Sequence, residues 1–555
     1  MANIASGYVS IESTDKEFLE DLKNKINDGL LMTEEVIEKM KKILIQLSLM
    51  LCFGSVNAQD EFVYFPAQSR YDIVISNGRI IDPETGLDAV LNIGINGQSI
   101  VAISESPLHG ETEVKADGLV VSPGFIDLHA HGQSVRANEF QVMDGVTTAL
   151  ELESGVPDLP TFLAIREGNA VINFGASIAH GSLRTWAMPE YEHAFDSNAP
   201  ESAWFRQPIA VPDAASDEMD VAMKEALSAT ISPGRYTKLE PKNYPIMWER
   251  MQQGLKDGAI GIGMVHQYYP GASRDEIFRV FQFAKQHDTT IFTHVRETGI
   301  TGMQEVIANA IGTGASLHIV HINSSSLYDY QTNLDLILGA NKNGADVTTE
   351  AYPYTAAATG IESPIFDEGW QDLLGISYED IQWQASGERL TKKTFNKYRK
   401  QGGTVIIHLM KEEWLRTQLA DPHVMVASDG MPYAFGAHPR SAGTFSRFIG
   451  RYVRDQKLMS LMDGLSKVTL MPAQRLESIA PQMKRKGRIQ KGSDADITIF
   501  NYEKIIDTAN FKGELTYSKG IQYVLVNGKF VVWAGKLVHG ARPGQAIVGR
   551  YNIGE

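Results

Sequence analysis

The sequence is almost free of cysteine. Cys52 is the only cysteine among the 555 residues, and it lies in an apolar stretch near the start of the chain. A disulfide within the chain needs two cysteines, so this chain forms none, and its stability depends on its core instead.

The chain also lacks an excess of positive charge. Its formal net charge is −16, which argues against nucleic acid or an anionic membrane as a partner and leaves a small molecule as the expected one. Hydrophobic residues make up 43% and charged residues 21%, an ordinary globular composition. The length suits one very large domain, or a large domain with a smaller companion.

No apolar run is long enough to cross a membrane comfortably. The strongest run lies in "MKKILIQLSLMLCFGSVNAQDE", which begins at Met40. Two lysines, an apolar segment of about fourteen residues and a small-residue site ending at Ala58 are typical of a signal peptide, here residues 40–58. A buried helix is the alternative. No membrane contact is expected of the processed chain.

Residues 1–39 fit poorly in front of an export signal. They include the charged, helix-prone stretch "DKEFLEDLKNKINDG". We expect translation to begin at Met40, which predicts a periplasmic or secreted protein. If Met1 is the true start, the segment is not a working signal and the protein is cytoplasmic.

A glycine-rich phosphate loop is absent as well, since no GxGxxG follows the first strand, and this argues against a doubly wound nucleotide-binding sheet. Eight strand-like runs alternate with helical segments instead: "GFIDLHAH", "VTTALELES", "NFGASIAHG", "GAIGIGMV", "TIFTHV", "SLHIVHINS", "DVTTEAYPY" and "HVMVASDG". This alternation predicts an α/β fold, a (β/α)8 TIM barrel. A ninth run, "TVIIHLM" at 404–410, is one too many and is assigned to an insertion with the charged stretch 365–402.

Short β-rich runs broken by Asn-Gly, Pro and Gly lie at both ends of this barrel. They cover residues 71–103 and 492–538. Such runs predict hairpins, so a small β domain built from both chain ends is expected beside the barrel.

The first barrel strand ends in two histidines. Side chains alternate along a strand, so His129 and His131 face the same way. Near the carboxyl end of a barrel strand that direction leads to the usual place of an active site. A single inward histidine is most often a core residue, but two in register favour a metal site.

Three later strands end in further metal-binding side chains. His294 ends "IFTHV", His321 ends "HIVHINS" and Asp429 ends "VMVASDG". Imidazole nitrogens with carboxylate oxygens suit zinc, and iron or manganese would also accept them. His318 lies three residues before His321 and is expected to face the opposite way as a packing residue.

At these residues the chain resembles the metal-dependent amidohydrolase superfamily, over about residues 71–550. Within it, the chain looks most like the N-acyl-D-amino-acid deacylases, or D-aminoacylases. The stretches that match this branch in order are "IAHGSLR", "QYYPG", "DVTTEAYPYTA", "ASDGMPYAFGAHPRSAGTFSRFIGRYVRD" and "KGRIQKGSDADITIF".

The resemblance implies a β-sandwich formed from both chain ends. Its first part is expected at 65–123 and its second at 485–550, with the hydrolase barrel at 124–484 and an insertion at about 360–403. It also implies that His129, His131, His294, His321 and Asp429 are metal ligands for one or two ions.

One ligand departs from the pattern of that branch. After "GVTT" the branch carries a cysteine ligand, but here the sequence reads "GVTTALELESG". Glu153 stands at that place, and we expect it to replace the thiolate and to bridge two metal ions. A carboxylate exposed at the strand end is the alternative, and Glu151 is expected to be the less important of the two glutamates. The strand-four run has no lysine, which argues against a carbamylated bridging lysine there.

Two positions that bind substrate in that branch also carry different residues here. The branch's lysine after the strand-six histidine is Asn323 here, and a serine of the strand-seven loop corresponds to Ala358. Tyr268 and Arg440 match, and the resemblance implies that both bind the substrate, with Arg440 on its carboxylate. A packing tyrosine and a surface salt bridge are the alternatives. His180 and Arg184 are predicted to line the pocket.

These features predict a metal-dependent hydrolase that cleaves a linear amide, an N-acyl-D-amino acid, into a carboxylate and a D-amino acid. Asp429 is the expected general base for a metal-activated water. A cyclic-amide hydrolase or a deaminase would use the same metal centre. A non-catalytic binding protein on this fold would be expected to have lost the ligands, all of which are present. The sequence does not indicate an oligomeric state.

Overall fold

The structure is a computed structural model that describes residues 70–195 and 233–552. The predicted signal peptide at 40–58 and the extension at 1–39 lie outside the described residues. No helix among the residues that the structure describes is both long enough and apolar enough to span a membrane.

The described residues contain twenty strands, which range from two to thirteen residues in length. In chain order they are β1 (Arg70–Asp82), β2 (Leu87–Asn96), β3 (Ser99–Ser104), β4 (His109–Lys115), β5 (Val120–Pro123), β6 (Phe125–Asp127), β7 (Val146–Val156), β8 (Asn173–Ala179), β9 (Ile262–Val265), β10 (Thr290–His294), β11 (Ser316–Ile319), β12 (Val347–Ala351), β13 (Ala357–Gly360), β14 (Ile381–Trp383), β15 (Thr404–Ile407), β16 (Val424–Val426), β17 (Ile497–Phe500), β18 (Ile521–Val526), β19 (Lys529–Trp533) and β20 (Lys536–Leu537).

Helices separate the strands of the middle region. Within the described ranges they are α1 (Val135–Met143), α2 (Leu159–Ala164), α3 (His180–Trp186), α4 (Tyr244–Lys256), α5 (Arg274–Gln286), α6 (Ile300–Thr313), α7 (Ile322–Ser326), α8 (Tyr330–Lys342), α9 (Trp370–Leu374), α10 (Lys392–Gln401), α11 (Glu412–Ala420), α12 (Arg440–Arg447), α13 (Leu461–Val468) and α14 (Leu470–Leu476). A π-helical segment, Phe448–Asp455, continues α12.

Eight parallel strands form the central sheet. Their order is β16-β12-β11-β10-β9-β8-β7-β6, so each strand lies beside its neighbour in the chain apart from the step over the insertion between β12 and β16. All eight predicted runs supply one strand each, and the predicted α/β barrel fold is confirmed. The ninth run, as β15, lies outside this sheet.

The first and last strands approach each other and nearly close the barrel. Ala130 and Gly430 form an isolated parallel bridge, and the backbone N–H of His131 donates to the Gly430 carbonyl at 2.9 Å. Below this bridge the Ser428 hydroxyl and backbone N–H donate to the carboxylate of Asp127. The closure therefore brings the two histidines that follow β6 next to the aspartate that follows β16.

A second sheet joins the two ends of the described chain. Its strand order is β20-β19-β18-β17-β5-β1-β2-β3, with β4 paired to β1. The antiparallel pair β5–β17, in which Ile497 lies opposite Pro123, connects the early hairpins to the late ones. Buried aliphatic side chains such as Ile95 and Leu525 form its core. The predicted joint β structure from both ends is present as one nine-stranded sheet.

The insertion after β12 has a small core of its own. Its strands pair in the antiparallel order β13-β15-β14. Aromatic rings pack beneath them, and Trp370 stacks on Phe395 with ring centroids 5.2 Å apart. One contact ties this unit to the barrel rim, since the hydroxyls of Tyr268 and Thr359 lie 2.9 Å apart.

Helix α5 illustrates how the outer helices pack. Ser273 caps its first turn by accepting a hydrogen bond from the Glu276 backbone N–H at 3.1 Å. Ile277, Val280 and Phe281 recur at helical spacing and are buried against the barrel, as expected for one apolar face.

Candidate metal centre

Six predicted ligands meet at the carboxyl ends of the barrel strands. They are His129 and His131 after β6, Glu153 on β7, His294 at the end of β10, His321 after β11 and Asp429 after β16. Parallel strands end at the same rim, and this is why residues up to three hundred positions apart converge here. The side chains form three overlapping groups, and each group offers donor atoms within 4.8 Å of one another.

One half of the centre contains four donor atoms. Nε2 of His129 lies 3.2 Å from Nε2 of His131, and each of these nitrogens lies 3.3 Å from Oε2 of Glu153. Oδ1 of Asp429 is 3.5 Å from both nitrogens. A tetrahedral zinc site with bonds of about 2.0–2.1 Å places its donors about 3.3 Å apart. These four atoms therefore have the spacing of a metal-binding cage, which we call the HxH half.

The other half contains three donor atoms. Oε1 of Glu153 lies 3.0 Å from Nδ1 of His294 and 2.9 Å from Nε2 of His321, and the two nitrogens are 3.0 Å apart. We call this group the two-strand half. Because the two oxygens of Glu153 face different halves, its carboxylate has the placement that a bridge between two ions requires.

A local irregularity in β7 positions Glu153. The strand pairs regularly with β8 as far as Glu151 and resumes pairing only at Val156, so the intervening residues bulge out of register. Gly263 of β9 lies against this segment, and a Cβ there would come within 2.5 Å of the Glu153 carbonyl. The bulge and the missing side chain together allow this strand end to approach the centre.

Two of the predicted ligands have strained backbones. His321 has φ 31° and Asp429 has φ 51°, both in the left-handed region that residues other than glycine rarely adopt. His321 lies two residues after the end of β11 and Asp429 three residues after the end of β16, where the chain leaves the sheet. Strain of this kind persists where the surrounding structure imposes it and is common at functional sites.

The buried carboxylates shift the pKa values of the histidines that face them. Burial disfavours the charged form of His129, but Asp429 and Glu153 outweigh it and raise the pKa of this imidazole well above its ordinary value. Burial also disfavours the charged form of His131, but Glu151 outweighs it, and the pKa of this imidazole too is raised well above its ordinary value. Protons on these rings, or a bound cation, must balance the negative charge.

The carboxylates themselves remain ionised. Burial acts against the charge of Glu153, but the histidines, His129 foremost, lower its pKa well below the usual range. Burial likewise opposes the charge of Asp429, and Arg440 and His129 overcome it and lower its pKa. Ionised oxygens and imidazole nitrogens at ligand spacing fit a divalent ion well.

Arg440 lies beside the centre and is 1% exposed. Its Nη1 is 2.8 Å from Oδ2 of Asp429, and its guanidinium lies 4.6 Å from the ring centroid of Tyr352. The alternative of a surface salt bridge is therefore wrong. Its Nε has no hydrogen-bond partner among the described residues. Contact with a substrate carboxylate stays a prediction.

Tyr268 also lies at the rim. It ends a short 3-10 helix, His266–Tyr268, after β9, and its ring meets that of His294 edge-on with centroids 5.2 Å apart. Burial raises the pKa of its phenol, so the hydroxyl stays protonated and able to donate.

His180 and Arg184 do not join the centre. Both side chains are buried and bond to Glu276, whose Oε1 lies 3.0 Å from Nε2 of His180 and 2.8 Å from Nε of Arg184. Arg184 also donates to the carbonyls of Gly234 and Thr237. Their predicted contact with substrate stays a prediction, and this geometry favours a structural role that anchors the 234–237 segment.

The substituted positions have structural partners. The Asn323 amide donates to the Tyr352 carbonyl at 3.2 Å and contacts the sulfur of Met410. Ala358 lies on β13 of the insertion. Neither residue supplies a charge or a hydroxyl to the centre.

Sequence reasoning missed the residues behind the ligands. His318 does not merely pack, because its Nε2 lies 3.1 Å from Oε2 of Glu350. Glu151 is not a lesser neighbour either, because its Oε2 lies 2.8 Å from Nδ1 of His131. The signal available in "DVTTEAYPY" was Glu350 in the middle of a predicted barrel strand, since a buried carboxylate needs a partner.

Comparisons with known proteins give a matching family and several relatives. The family model described as "Amidohydrolase family" matches residues 249–532, just over half of the chain. The chain is 25% identical to a D-aminoacylase of Alcaligenes xylosoxydans xylosoxydans over 86% of its own length and 97% of the relative's. It is equally similar to an N-acyl-D-glutamate deacylase of that organism, with the same coverage.

A solved structure has the same fold. The N-acyl-D-glutamate deacylase of Bordetella bronchiseptica, complexed with zinc and a phosphonate that mimics the tetrahedral intermediate, superposes with a TM-score of 0.69 at 24% identity. The superposition covers 86% of this chain and 100% of that one.

Proposed function

The chain belongs to the amidohydrolase family, and we propose that it hydrolyses a linear amide with the help of a divalent metal, the substrate being an N-acyl-D-amino acid. The observation that carries this proposal is the carboxylate of Glu153 between two groups of histidine nitrogens, with Asp429 beside them. The relatives that the chain matches over most of its length are a D-aminoacylase and an N-acyl-D-glutamate deacylase, which supports the substrate class.

We propose zinc as the metal and His129, His131, Glu153, His294, His321 and Asp429 as its ligands. Imidazole nitrogens and carboxylate oxygens at tetrahedral spacing suit zinc, and the Bordetella relative binds zinc. A bound divalent ion of this kind lowers the pKa of water towards about 7 and polarises an amide carbonyl.

Asp429 is the proposed general base. Its Oδ1 faces the HxH half, where it can accept a proton from the attacking water and later deliver it to the departing nitrogen. Its Oδ2 is held by Arg440, which keeps Oδ1 aimed at the centre. An amine is a poor leaving group until it is protonated, so both transfers contribute to the rate.

Arg440 and Tyr268 are the proposed contacts for the carboxylate end of the substrate. Arg440 can still use the donors that do not face Asp429, and a guanidinium binds a carboxylate through two parallel hydrogen bonds. The Tyr268 hydroxyl, 2.9 Å from that of Thr359, can donate to the same group. Asn323 itself supplies no cation to this end.

Hydrolysis of a matched panel tests the proposal. Metal-loaded protein is given N-acetyl-D- and N-acetyl-L-amino acids, with a hydantoin and a dihydropyrimidine for comparison, and release of the amine is measured. We expect turnover of linear D-substrates that Asp429→Asn abolishes. Turnover of the cyclic amides alone would assign the other hydrolase class instead, and no turnover with any member would reject the proposal.

We propose export from the cytoplasm as well, on the basic and apolar segment at 40–58. Sequencing the amino terminus of protein from its native host tests this. A start near Gln59 is expected, and a product that retains residues 1–39 would contradict it.

A further inference from the structure

Each of the four histidines in the centre has a second hydrogen-bond partner. This partner bonds to the ring nitrogen that points away from the donor cluster. The pairs are His129 Nδ1 with Glu350 at 2.7 Å, His131 Nδ1 with Glu151 at 2.8 Å, His294 Nε2 with Gln267 at 2.8 Å and His321 Nδ1 with Ser325 at 3.0 Å.

The partners differ in charge between the two halves. In the HxH half both partners are carboxylates, whereas in the two-strand half they are an amide and a hydroxyl. An ionised carboxylate only accepts hydrogen bonds, so it places the proton of the imidazole on Nδ1 and leaves the lone pair of Nε2 facing the cluster. It also makes that nitrogen a stronger donor to a metal. An amide or a hydroxyl does this less strongly.

Glu350 is held in place by more than His129. It is 1% exposed on β12, and its second oxygen lies 3.1 Å from Nε2 of His318. Nδ1 of His318 in turn lies 2.8 Å from the hydroxyl of Thr348. A continuous chain of hydrogen bonds therefore runs from Thr348 through His318 and Glu350 to His129, and it leaves Glu350 little freedom to rotate.

Glu151 is equally restricted. It is 1% exposed and accepts the Ser154 backbone N–H at 3.2 Å on one oxygen, while its other oxygen bonds to His131. Glu151 is thus the last residue of β7 that pairs regularly with β8 before the bulge that carries Glu153, and this pairing fixes its place behind His131.

From this asymmetry we propose that Glu350 and Glu151 are positioning residues that hold His129 and His131 with Nε2 towards the centre, and that they make the HxH half the tighter of two metal sites. This inference rests on the proposed metal-dependent function. The donor spacing agrees with it, since four protein atoms, two of them from carboxylates, lie within 3.2–3.5 Å of the two HxH nitrogens or are those nitrogens, and the two-strand half offers three, one of them from the shared Glu153.

Metal titration of the full chain tests the proposal. Metal-free protein is titrated with cobalt and with zinc, and binding is followed by calorimetry and by the visible absorption of cobalt. The wild type is expected to bind in two classes of different affinity. Glu350→Gln and Glu151→Gln should each weaken the tight class by about 10–100-fold and alter its cobalt absorption. The weak class should change much less, since Glu350 contacts that half only through a long 3.5 Å hydrogen bond from the His321 backbone N–H.

The opposite half provides a matched comparison. Ser325→Ala removes the partner of His321 and should weaken only the weak class. Glu350→Asp keeps a carboxylate and should recover part of the lost affinity, and Glu413→Gln, an exposed change on α11, should have no effect. Circular dichroism checks that each variant folds. If Glu350→Gln does not fold, the changes in metal affinity of Glu151→Gln and Ser325→Ala test the proposal in its place.

The outcomes separate this inference from the proposed function. If the wild type binds no metal, the metal-dependent function itself fails and the inference fails with it. If the wild type binds two ions but the glutamine variants keep both affinities, or if they weaken the weak class instead, the function stands and the positioning role is wrong.

Discussion

The side chains of Arg440 and Asp429 form a buried ion pair, with Nη1 of the arginine 2.8 Å from Oδ2 of the aspartate. The remaining oxygen of Asp429 faces the nitrogens of His129 and His131 at 3.5 Å. One carboxylate thus connects the group expected to bind the substrate to the group expected to bind the metal.

Asp429→Asn should lower kcat by about 10²–10⁴-fold, because an amide cannot accept the proton of the attacking water. The amide oxygen can still face the cluster, so most of the metal should remain. Steady-state kinetics and elemental analysis measure both quantities. A variant with wild-type kcat and full metal content would assign the base to another group.

Arg440→Lys should remove the preference for substrates with a free carboxylate. The guanidinium offers two parallel hydrogen bonds and the ammonium does not, so kcat/KM for an N-acyl amino acid should fall by about 10–100-fold. The matching N-acyl amino acid amide, which lacks the negative charge, should change much less. Equal losses on both substrates would show that Arg440 acts only through Asp429.

Glu153→Gln should lower the metal content, because one oxygen of its side chain faces each half of the centre. Glutamine keeps the shape of the side chain but removes its charge. Elemental analysis should find less than the wild-type amount, and activity should fall with it. The suitable control is the exposed Glu413→Gln, since Glu151 is engaged with His131. Wild-type metal content in Glu153→Gln would show that the Glu153 carboxylate does not bridge two metal ions.

Arg184→Met should destabilise the fold more than it affects catalysis. It leaves the buried carboxylate of Glu276 without its main cation, and breaking a buried ion pair costs about 3–5 kcal/mol. Denaturant unfolding should show the loss, while KM should change little. A stable variant with a tenfold higher KM would instead place Arg184 at the substrate, as its sequence motif predicts.

His408 should make the protein less stable in mild acid. Burial, followed by Arg389, lowers the pKa of this imidazole to about 4 in the folded state, so between about pH 6.5 and 4 the unfolded chain binds a proton that the native chain does not. Stability contributed by the neutral ring is present above pH 6.5 and is lost as the pH falls. Because the ring is only half-buried, we expect about 1–2 kcal/mol.

His408→Gln tests this pH dependence. Glutamine keeps an amide donor for the side chain of Gln382, which lies 3.1 Å from Nε2 of His408. Unfolding free energies of both proteins at pH 7.5 and pH 4.5 are compared. The variant should lose less stability between the two values than the wild type, and parallel losses would contradict the assignment.

Much of the fold could be predicted because local pattern and global fold agree in a barrel. Each strand is an apolar run long enough to recognise, and the helices between them allow parallel neighbours only. The same regularity indicated where ligands would lie, since His294 ends a strand, Asp429 follows one, and all the barrel strands end at one rim.

The residues behind the ligands could not be predicted in this way. Glu350 bonds to His129 across 221 positions of sequence, and nothing near either residue indicates the other. His318 was expected to face away from His321 by strand alternation, but β11 ends at Ile319 and the chain turns before His321. Alternation therefore held for residues within a strand and failed where the strand ended.

By itself, the sequence determined the fold class and the order of the barrel strands and indicated the candidate donor residues, because these depend on residue type, spacing and alternation along the chain. Only the tertiary structure decided that Glu153 faces both halves of the centre, that Arg440 is paired with Asp429, and that Arg184 holds Glu276 instead of facing the donor cluster. Those facts depend on the direction of side chains at strand ends, where bulges and left-handed backbones interrupt the regular alternation of side chains along a strand. They also depend on partners that distant strands supply.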